Sequence, residues 1–203
     1  MRQILASRGD ADRGYEVPPC SRLQLLLYAD SVHSAVEYDG TGAFPIILFM
    51  ENVLPLVYPD ASVEIVPAGS MGDKYGETFP AEHFIRLPED IYEAAAAGDG
   101  FSRMTVAHEV SHLLWHEKAP VSLARRRATR SVPAYRTSEW QANALAGALL
   151  MPTRQIVTME PREVRERYQV SQTAAVVQTR KARENYGAFL AAAEEGVSIE
   201  KTH

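Results

Sequence analysis

The segment that decides the fold is FSRMTVAHEVSHLLWH, residues 101–116, which contains the pattern HEVSH at 108–112. We expect one helix over this segment. Residues four apart lie one turn apart on the same helical face, so His108 and His112 can both bind one metal ion. Two neutral imidazoles leave zinc strongly electrophilic, and Glu109 lies close enough to take a proton from water at the ion. The competing interpretation is two histidines on a helix surface.

A zinc site of this kind usually has three protein ligands, so a third must come from elsewhere. His116 follows His112 by four residues, but three ligands on a straight helix line up in a row and do not converge. His83 begins a predicted strand and is more typical of a surface residue. Glu139 lies near the start of the next long helix, after a connection long enough to bring that helix back across the first. These three candidates stay open on spacing alone.

Three motifs in order resemble a known family. The segment TVAHEVSHLLWH at 105–116 is followed by EWQAN at 139–143 and LLMP at 149–152. This series is similar to the ImmA/IrrE family of zinc-dependent metallopeptidases, which reads roughly AHELGHLLLH, then ExxAN, then LLMP. The resemblance covers about residues 20–185.

The resemblance implies that His108, His112 and Glu139 bind one zinc ion per chain, the gluzincin arrangement, and that Glu109 is the general base. Manganese is the alternative metal for two histidines and one glutamate, although nitrogen-rich tetrahedral ligation favours zinc. Ser111 stands where the family commonly has glycine, which changes packing close to the metal but removes no ligand.

Three further residues are candidates for supporting roles. His116 is expected beside the ligands or in a structural role. Asn143 lies one turn after Glu139 and is expected to orient that carboxylate. Tyr135, or Arg136 beside it, could donate to the oxyanion of a reacting peptide bond. The alternative for these last two is that they are loop residues with no catalytic role.

The resemblance also suggests a substrate. Peptidase members of the family cleave helix-turn-helix repressor proteins, often once at a limited site, and so release genes of stress responses or mobile elements. We therefore expect a helix-turn-helix transcriptional repressor as the partner and substrate.

Composition argues against general nucleic-acid binding. The chain has 203 residues, with 21 Lys and Arg against 26 Asp and Glu, a net charge of -5. A surface of this charge is not suited to phosphate backbones. Its single cysteine, Cys20, excludes an intrachain disulfide and a cysteine-based zinc centre.

A rival function comes from residues 160–183, EPREVRERYQVSQTAAVVQTRKAR. Two short helices with Ser171 as the N-cap of the second have the rhythm of a helix-turn-helix, and Arg180, Lys181 and Arg183 could meet phosphates. A DNA-binding protein, or a toxin-antitoxin-type regulator with a non-proteolytic zincin scaffold, is therefore the alternative. Plain helix packing is the favoured interpretation of this segment.

The connection between the two ligand helices is locally basic. Its cations are Lys118, Arg125, Arg126, Arg127 and Arg130. The favoured interpretation of this loop, 118–130, is a solvated connection, and the sharper hypothesis is a contact for an acidic segment of the partner.

The pattern as a whole predicts one zincin-like α+β domain over 1–203, mostly helical, with a small sheet before the HExxH helix. Helices are predicted at 21–38, 45–57, 88–97, 101–116 and 137–150, two or three more within 153–191, and strands at 62–67 and 83–87. The second strand is predicted to return along the first, the second helix to kink or end near Pro55, and the tail to be disordered from about 192. We find no targeting signal and no membrane-spanning run, so the cytoplasm is the expected location and no membrane partner is expected.

Overall fold

The computed structural model describes residues 16–117 and 133–195. Within these ranges the chain is mostly helical and carries one three-stranded sheet, so the predicted α+β fold class is confirmed. The basic loop at 118–130 lies outside the described residues. That residues 1–203 form a single domain stays a prediction.

Helices account for most of the structure. They are α1 (Arg22–Ala35), α2 (Ile46–Leu48, Phe49–Val53 and Leu54–Val57 in succession), α3 (Glu89–Ala96), α4 (Gly100–His116), α5 (Ser138–Leu150), α6 (Thr153–Ile156), α7 (Pro161–Tyr168) and α8 (Gln172–Glu194). The predicted helices are all present, with boundaries shifted by up to three residues. In the described part of the chain, no helix combines the length and the apolar character needed to cross a membrane.

Helix starts follow local capping signals. The Ser21 side chain accepts a hydrogen bond from the Gln24 N–H, and the Gln24 side chain accepts one from the Ser21 N–H. Helix α1 therefore begins with the predicted cap, Ser21, as part of a capping box. Asp99 caps α4 through the N–H of Ser102. Thr137 caps α5 through the N–H of Trp140. The caps at Asp99 and Thr137 therefore fix the first residues of the two ligand-bearing helices, α4 and α5.

Helix α2 does not end near Pro55, one of the two predicted outcomes, because it continues to Val57. Proline lacks an N–H and its ring crowds the carbonyl four residues earlier. Here the preceding residues, Phe49–Val53, form a π-helical turn, and Pro55 falls in the first turn of the following α-helical segment. The wider turn shifts the hydrogen-bond register, and the helix therefore passes the proline.

The sheet differs from its predicted pairing. Its order is β1 (Ser62–Val66), β3 (Phe84–Pro88), β2 (Glu77–Phe79), with β1 parallel to β3 and β2 antiparallel to it. The tight turn at Pro80–Glu82 makes a hairpin of β2 and β3, so β3 runs parallel to β1 and does not return along it. The strand β2 was missed, because three residues within a turn-rich stretch give no readable alternation.

The core lies around α4 and α5. On α4 the buried apolar residues include Val106, Ala107, Val110, Leu113 and Leu114. On α5 they include Ala142, Leu145, Ala146, Leu149 and Leu150. The two helices pack against each other, α1 lies along α5, and α3 with strands β2 and β3 lies along α4. The sheet therefore covers one side of α4, and helix α5 covers another side of α4.

The helix-turn-helix-like segment does form two helices, α7 and α8, but its basic side chains are engaged within the chain. Arg183 donates to the main-chain oxygens of Val157 and Met159. Lys181 is paired with Glu184 at 2.6 Å. These bonds favour the structural interpretation of the segment, and DNA binding by it stays an alternative prediction.

The predicted disordered tail, from about residue 192, lies mostly outside the described residues. Helix α8 runs on to Glu194, past the expected boundary at about 192, and it buries Phe189 completely. That contact holds the end of the helix on the core. Residues beyond 195 lie outside the described part.

Gly100 marks a close approach that fixes the position of α4, and it provides a test of the fold. A Cβ there would lie 2.5 Å from the Val170 carbonyl carbon and 2.6 Å from the Ser171 nitrogen, which are main-chain atoms and cannot turn aside. We expect Gly100→Ala to lower the free energy of unfolding by about 1–3 kcal/mol. Urea denaturation measures this change.

Gly42→Ala is the matched control, since a Cβ at Gly42 has open space around it. Its stability is expected to stay within about 0.5 kcal/mol of the parent protein. Equal stability of the two alanine variants would contradict the close packing of α4 on the α7–α8 turn.

Candidate metal centre

Two helices bring three predicted ligands together. His108 and His112 lie one turn apart on α4, and Glu139 projects from the first turn of α5. The two Nε2 atoms are 3.0 Å apart. Glu139 places Oε2 3.2 Å from Nε2 of His108 and Oε1 3.3 Å from Nε2 of His112. All three residues thus converge on one point between the helices, and their donor atoms could hold a metal ion.

The spacing of these donors suits a small tetrahedral ion. Ligand atoms 2.0–2.2 Å from zinc at tetrahedral angles stand about 3.3–3.6 Å from one another. The separations here are 3.0, 3.2 and 3.3 Å, so the three donors need to spread only by tenths of an ångström. Two imidazole nitrogens and a carboxylate oxygen are also a donor set that zinc accepts. The side chains are 13–32% exposed, so a fourth position can reach solvent.

The contacts between Glu139 and the two histidines also shift the pKa values of these groups. Burial by itself would lower the pKa of His108, but its hydrogen bond to Glu139 and the charges of Glu109 and Glu139 outweigh burial and raise that pKa above its usual value. Burial opposes ionisation of Glu139 too, yet the bonds to His108 and His112 hold the pKa of that carboxyl well below its usual range. The two shifts have the same cause, since each favours the charged form of one partner beside the other.

Each candidate histidine ligand has a partner on its other ring nitrogen. Nδ1 of His108 lies 3.2 Å from Oδ1 of Asn143, and Nδ1 of His112 lies 3.2 Å from Nδ1 of His116. Asn143 lies one turn after Glu139 on α5, and its Oδ1 meets His108. That Asn143 orients Glu139 stays a prediction.

His116 lies behind the centre and does not join it. It is 4% exposed, bonded to Gln141 as well as to His112, and burial together with the charge of His112 lowers its pKa to about 3. His83, the other histidine weighed as a ligand, lies away from the three donors. Its Nδ1 bonds to Asp60 at 2.8 Å and its ring stacks on Tyr58.

Glu109 is held by strand β2 and the residues before it. The Thr78 hydroxyl donates to Oε2 of Glu109 at 2.6 Å. A Cβ at Gly76 would lie 2.8 Å from Oε1, so the carboxylate rests directly on the glycine backbone. Glu109 is 7% exposed in this position. Thr78 and Gly76 carry no sequence signal, since they lie about thirty residues away in a segment read as a turn.

Ser111, the departure from the family pattern, lies at the buried centre of α4. It is fully buried, and its hydroxyl donates to the Ala107 carbonyl at 2.7 Å, one turn back on the same helix. The hydroxyl is therefore satisfied locally, and the serine adds little bulk where glycine is common.

Tyr135 and Arg136 precede α5 in a short 3₁₀ turn, Ala134–Arg136. Tyr135 is 47% exposed, and its main-chain oxygen accepts from Cys20 and Gln141. Arg136 pairs with Glu16 at 2.7 Å. Within the described residues neither side chain contacts the three donors, and an oxyanion role for Tyr135 stays a prediction.

Comparison with known proteins adds the family. Residues 70–180, more than half of the chain, match the model of the family Peptidase_M78, described as IrrE N-terminal-like domain. Among solved structures, a Mycobacterium tuberculosis transcriptional regulator is 15% identical with a TM-score of 0.49. The match covers 74% of this chain and 44% of that protein, so the chain spans less than half of its length. No curated protein matches the chain by sequence.

The paired charges predict a pH-dependent stability of the metal-free protein. A raised pKa means that His108 stabilises the fold below its ordinary value of about 6.5 and that this contribution is lost as pH rises through the raised value. A lowered pKa means that Glu139 stabilises the fold above its ordinary value and loses that contribution only in strong acid. Both contributions are present between about pH 4.5 and 6.5.

The stability deficit of Glu139→Gln should therefore be largest near about pH 6 and smaller near about pH 9. Urea denaturation of both proteins in the presence of a chelator measures it. A deficit that is constant over this range would contradict the pairing of His108 with Glu139.

Proposed function

The chain belongs to the family described as IrrE N-terminal-like domain, Peptidase_M78, and from this premise we propose a zinc-dependent peptidase that makes a limited cleavage in a partner protein. The partner in this proposal is a helix-turn-helix transcriptional repressor, whose cleavage releases stress or mobile-element genes. The observation that carries the proposal is the convergence of His108, His112 and Glu139 beside a buried Glu109.

A zinc ion held by His108, His112 and Glu139 would supply Lewis-acid chemistry, polarising a peptide carbonyl and making water more acidic. The chain supplies the proton acceptor. Glu109 follows the first histidine directly, and the Thr78 hydroxyl holds one of its oxygens at 2.6 Å. That bond restricts the rotation of the carboxylate, whose proposed role is to take a proton from water and return it to the leaving amine.

The choice of a repressor as substrate follows from the family resemblance, and the described surface favours it over direct DNA binding. The net charge of -5 opposes contact with phosphates, and the cations Lys181 and Arg183 are engaged within the chain. A non-proteolytic scaffold is the remaining alternative. A scaffold differs from a peptidase in one testable respect, because its function does not require a general base at Glu109.

The first test separates metal binding from cleavage. Elemental analysis of the purified protein should find about one zinc per chain, with His112→Ala and Glu139→Ala each lowering it. His83→Ala is the control, since that histidine lies outside the centre and should keep the full zinc content. Undiminished zinc in the double variant His112→Ala/Glu139→Ala would refute the assignment of these ligands.

The same test continues with Glu109→Gln, which should keep its zinc and lose cleavage. The substrate to test is a small helix-turn-helix repressor, sought first among the products of neighbouring genes, incubated with the zinc-loaded protein and followed on a gel. The rate should fall by about 10²–10⁴, the usual contribution of a general base. Cleavage that survives in Glu109→Gln would remove its role as the base, and a repressor left intact by the parent protein would favour the scaffold.

A second test concerns the bond that holds Glu109. Thr78→Val removes the hydroxyl while keeping the β-branched shape, so the carboxylate loses one partner and zinc content stays unchanged. We expect cleavage to slow by about tenfold, the equivalent of one hydrogen bond.

Thr105→Val is the matched control for this change. Its hydroxyl donates to the Phe101 carbonyl within the same helix, α4. The rate of this control should match that of the parent protein. Equal rates for the two valine variants would show that Thr78 does not position the base.

A further inference from the structure

Gln141 lies at the meeting point of four groups behind the candidate centre. It is 1% exposed, and its Oε1 is 3.0 Å from Nε1 of Trp115 and 3.1 Å from Nε2 of His116. Its Nε2 is 2.8 Å from the Pro18 carbonyl oxygen and 2.9 Å from the Tyr135 carbonyl oxygen. The oxygen and the nitrogen of the amide thus have two partners each.

Chemistry leaves one orientation for this amide. An indole N–H only donates, and a main-chain carbonyl only accepts. The oxygen of Gln141 must therefore face Trp115, and its NH₂ must face Pro18 and Tyr135. A flipped amide would set two donors against each other at Trp115 and two pairs of acceptors at the carbonyls.

The orientation of Gln141 determines the proton on His116. Because Oε1 can only accept, Nε2 of His116 must carry a hydrogen. His116 is buried, and its nitrogens face a neutral amide and another imidazole, so the ring is neutral. A neutral ring with its proton on Nε2 has a lone pair on Nδ1.

His116 then determines the proton on His112. The two Nδ1 atoms are 3.2 Å apart, and a lone pair on His116 requires a hydrogen on Nδ1 of His112. With that hydrogen in place, Nε2 is the one ring nitrogen of His112 that can offer a lone pair, and it lies 3.0 Å from Nε2 of His108 and 3.3 Å from Oε1 of Glu139. That is the nitrogen a metal ion would use.

We propose that Gln141, acting through His116, fixes His112 in the tautomer that offers Nε2 to a divalent metal ion. Both are positioning residues: neither touches the ion's position, and each acts on the next group in the series. The purpose of this relay rests on the proposed zinc site, but the tautomers themselves exist without metal. The relay also ties the ligand to the segment at Pro18 and to the turn at Tyr135 that precedes α5.

The tautomers can be observed directly in the metal-free protein. Two-bond ¹H–¹⁵N correlation spectra of ¹⁵N-histidine-labelled protein at about pH 8 distinguish protonated from unprotonated ring nitrogens. We expect a proton on Nδ1 of His112 and on Nε2 of His116, two opposite tautomers on neighbouring rings. An Nδ1 of His112 without a hydrogen would overturn the proposal whether or not the protein binds zinc.

Variants test the direction of the relay. Gln141→Leu removes the acceptor for His116, so His116 should move its proton to Nδ1 and His112 should move its own to Nε2. His116→Leu should cause the same change at His112 in one step. In both variants zinc affinity, measured by competition with a chelating dye, should fall by about 10–100-fold.

Two further variants control for a purely structural effect. Gln178→Leu replaces another buried glutamine, one that packs on α5 at Gly147, and should change neither the tautomer nor the affinity. His116→Asn keeps an acceptor at the position of Nδ1 and should restore the proton on Nδ1 of His112 and most of the affinity. If Gln141→Leu does not fold, the contrast between His116→Leu and His116→Asn decides the same question.

The outcomes separate this inference from the proposed function. An unchanged His112 tautomer in folded Gln141→Leu or His116→Leu overturns the relay, even in a protein that binds zinc and cleaves its partner. The expected tautomers in a protein that takes up no zinc support the relay and reject the zinc peptidase.

Discussion

The packing of α4 against α5 is the interaction on which the candidate centre depends. Two donors lie on one helix and the third on the other, so no one helix could assemble the group. Both helices carry small buried residues, Ala107 on α4 and Ala142 and Ala146 on α5, and residues of this size allow helix axes to approach closely. The sheet, α1 and the Gly100 contact then hold this pair in place from three sides.

A second constraint follows from burying so many polar groups beside that contact. Imidazoles, carboxylates and amides are expensive to remove from water unless each finds a partner. Here His108 meets Asn143, His112 meets His116, and Glu109 meets Thr78. Because the partners are fixed by the surrounding fold, each polar group has its orientation set before any ligand arrives. The hydrogen bonds that offset the loss of water at these buried groups therefore also preorganise the site.

Much of the local structure could be predicted from sequence. Helices α1 and α4 began at or next to their expected residues, since the caps at Ser21 and Asp99 act over three residues. The family resemblance was confirmed by the match over 70–180. The direction of β3 could not be predicted in this way, because it depends on the hairpin that β2 makes across the turn at Pro80–Glu82.

The sequence by itself determined the spacing of His108 and His112, because helical periodicity is a local property. The family motifs also named Glu139 as a candidate. Only the tertiary structure decided which groups face these residues: Asn143 meets His108, Thr78 meets Glu109, and Gln141 reaches His112 through His116. The physical reason is that such contacts join residues tens of positions apart, and the packing free energy of the whole core selects them.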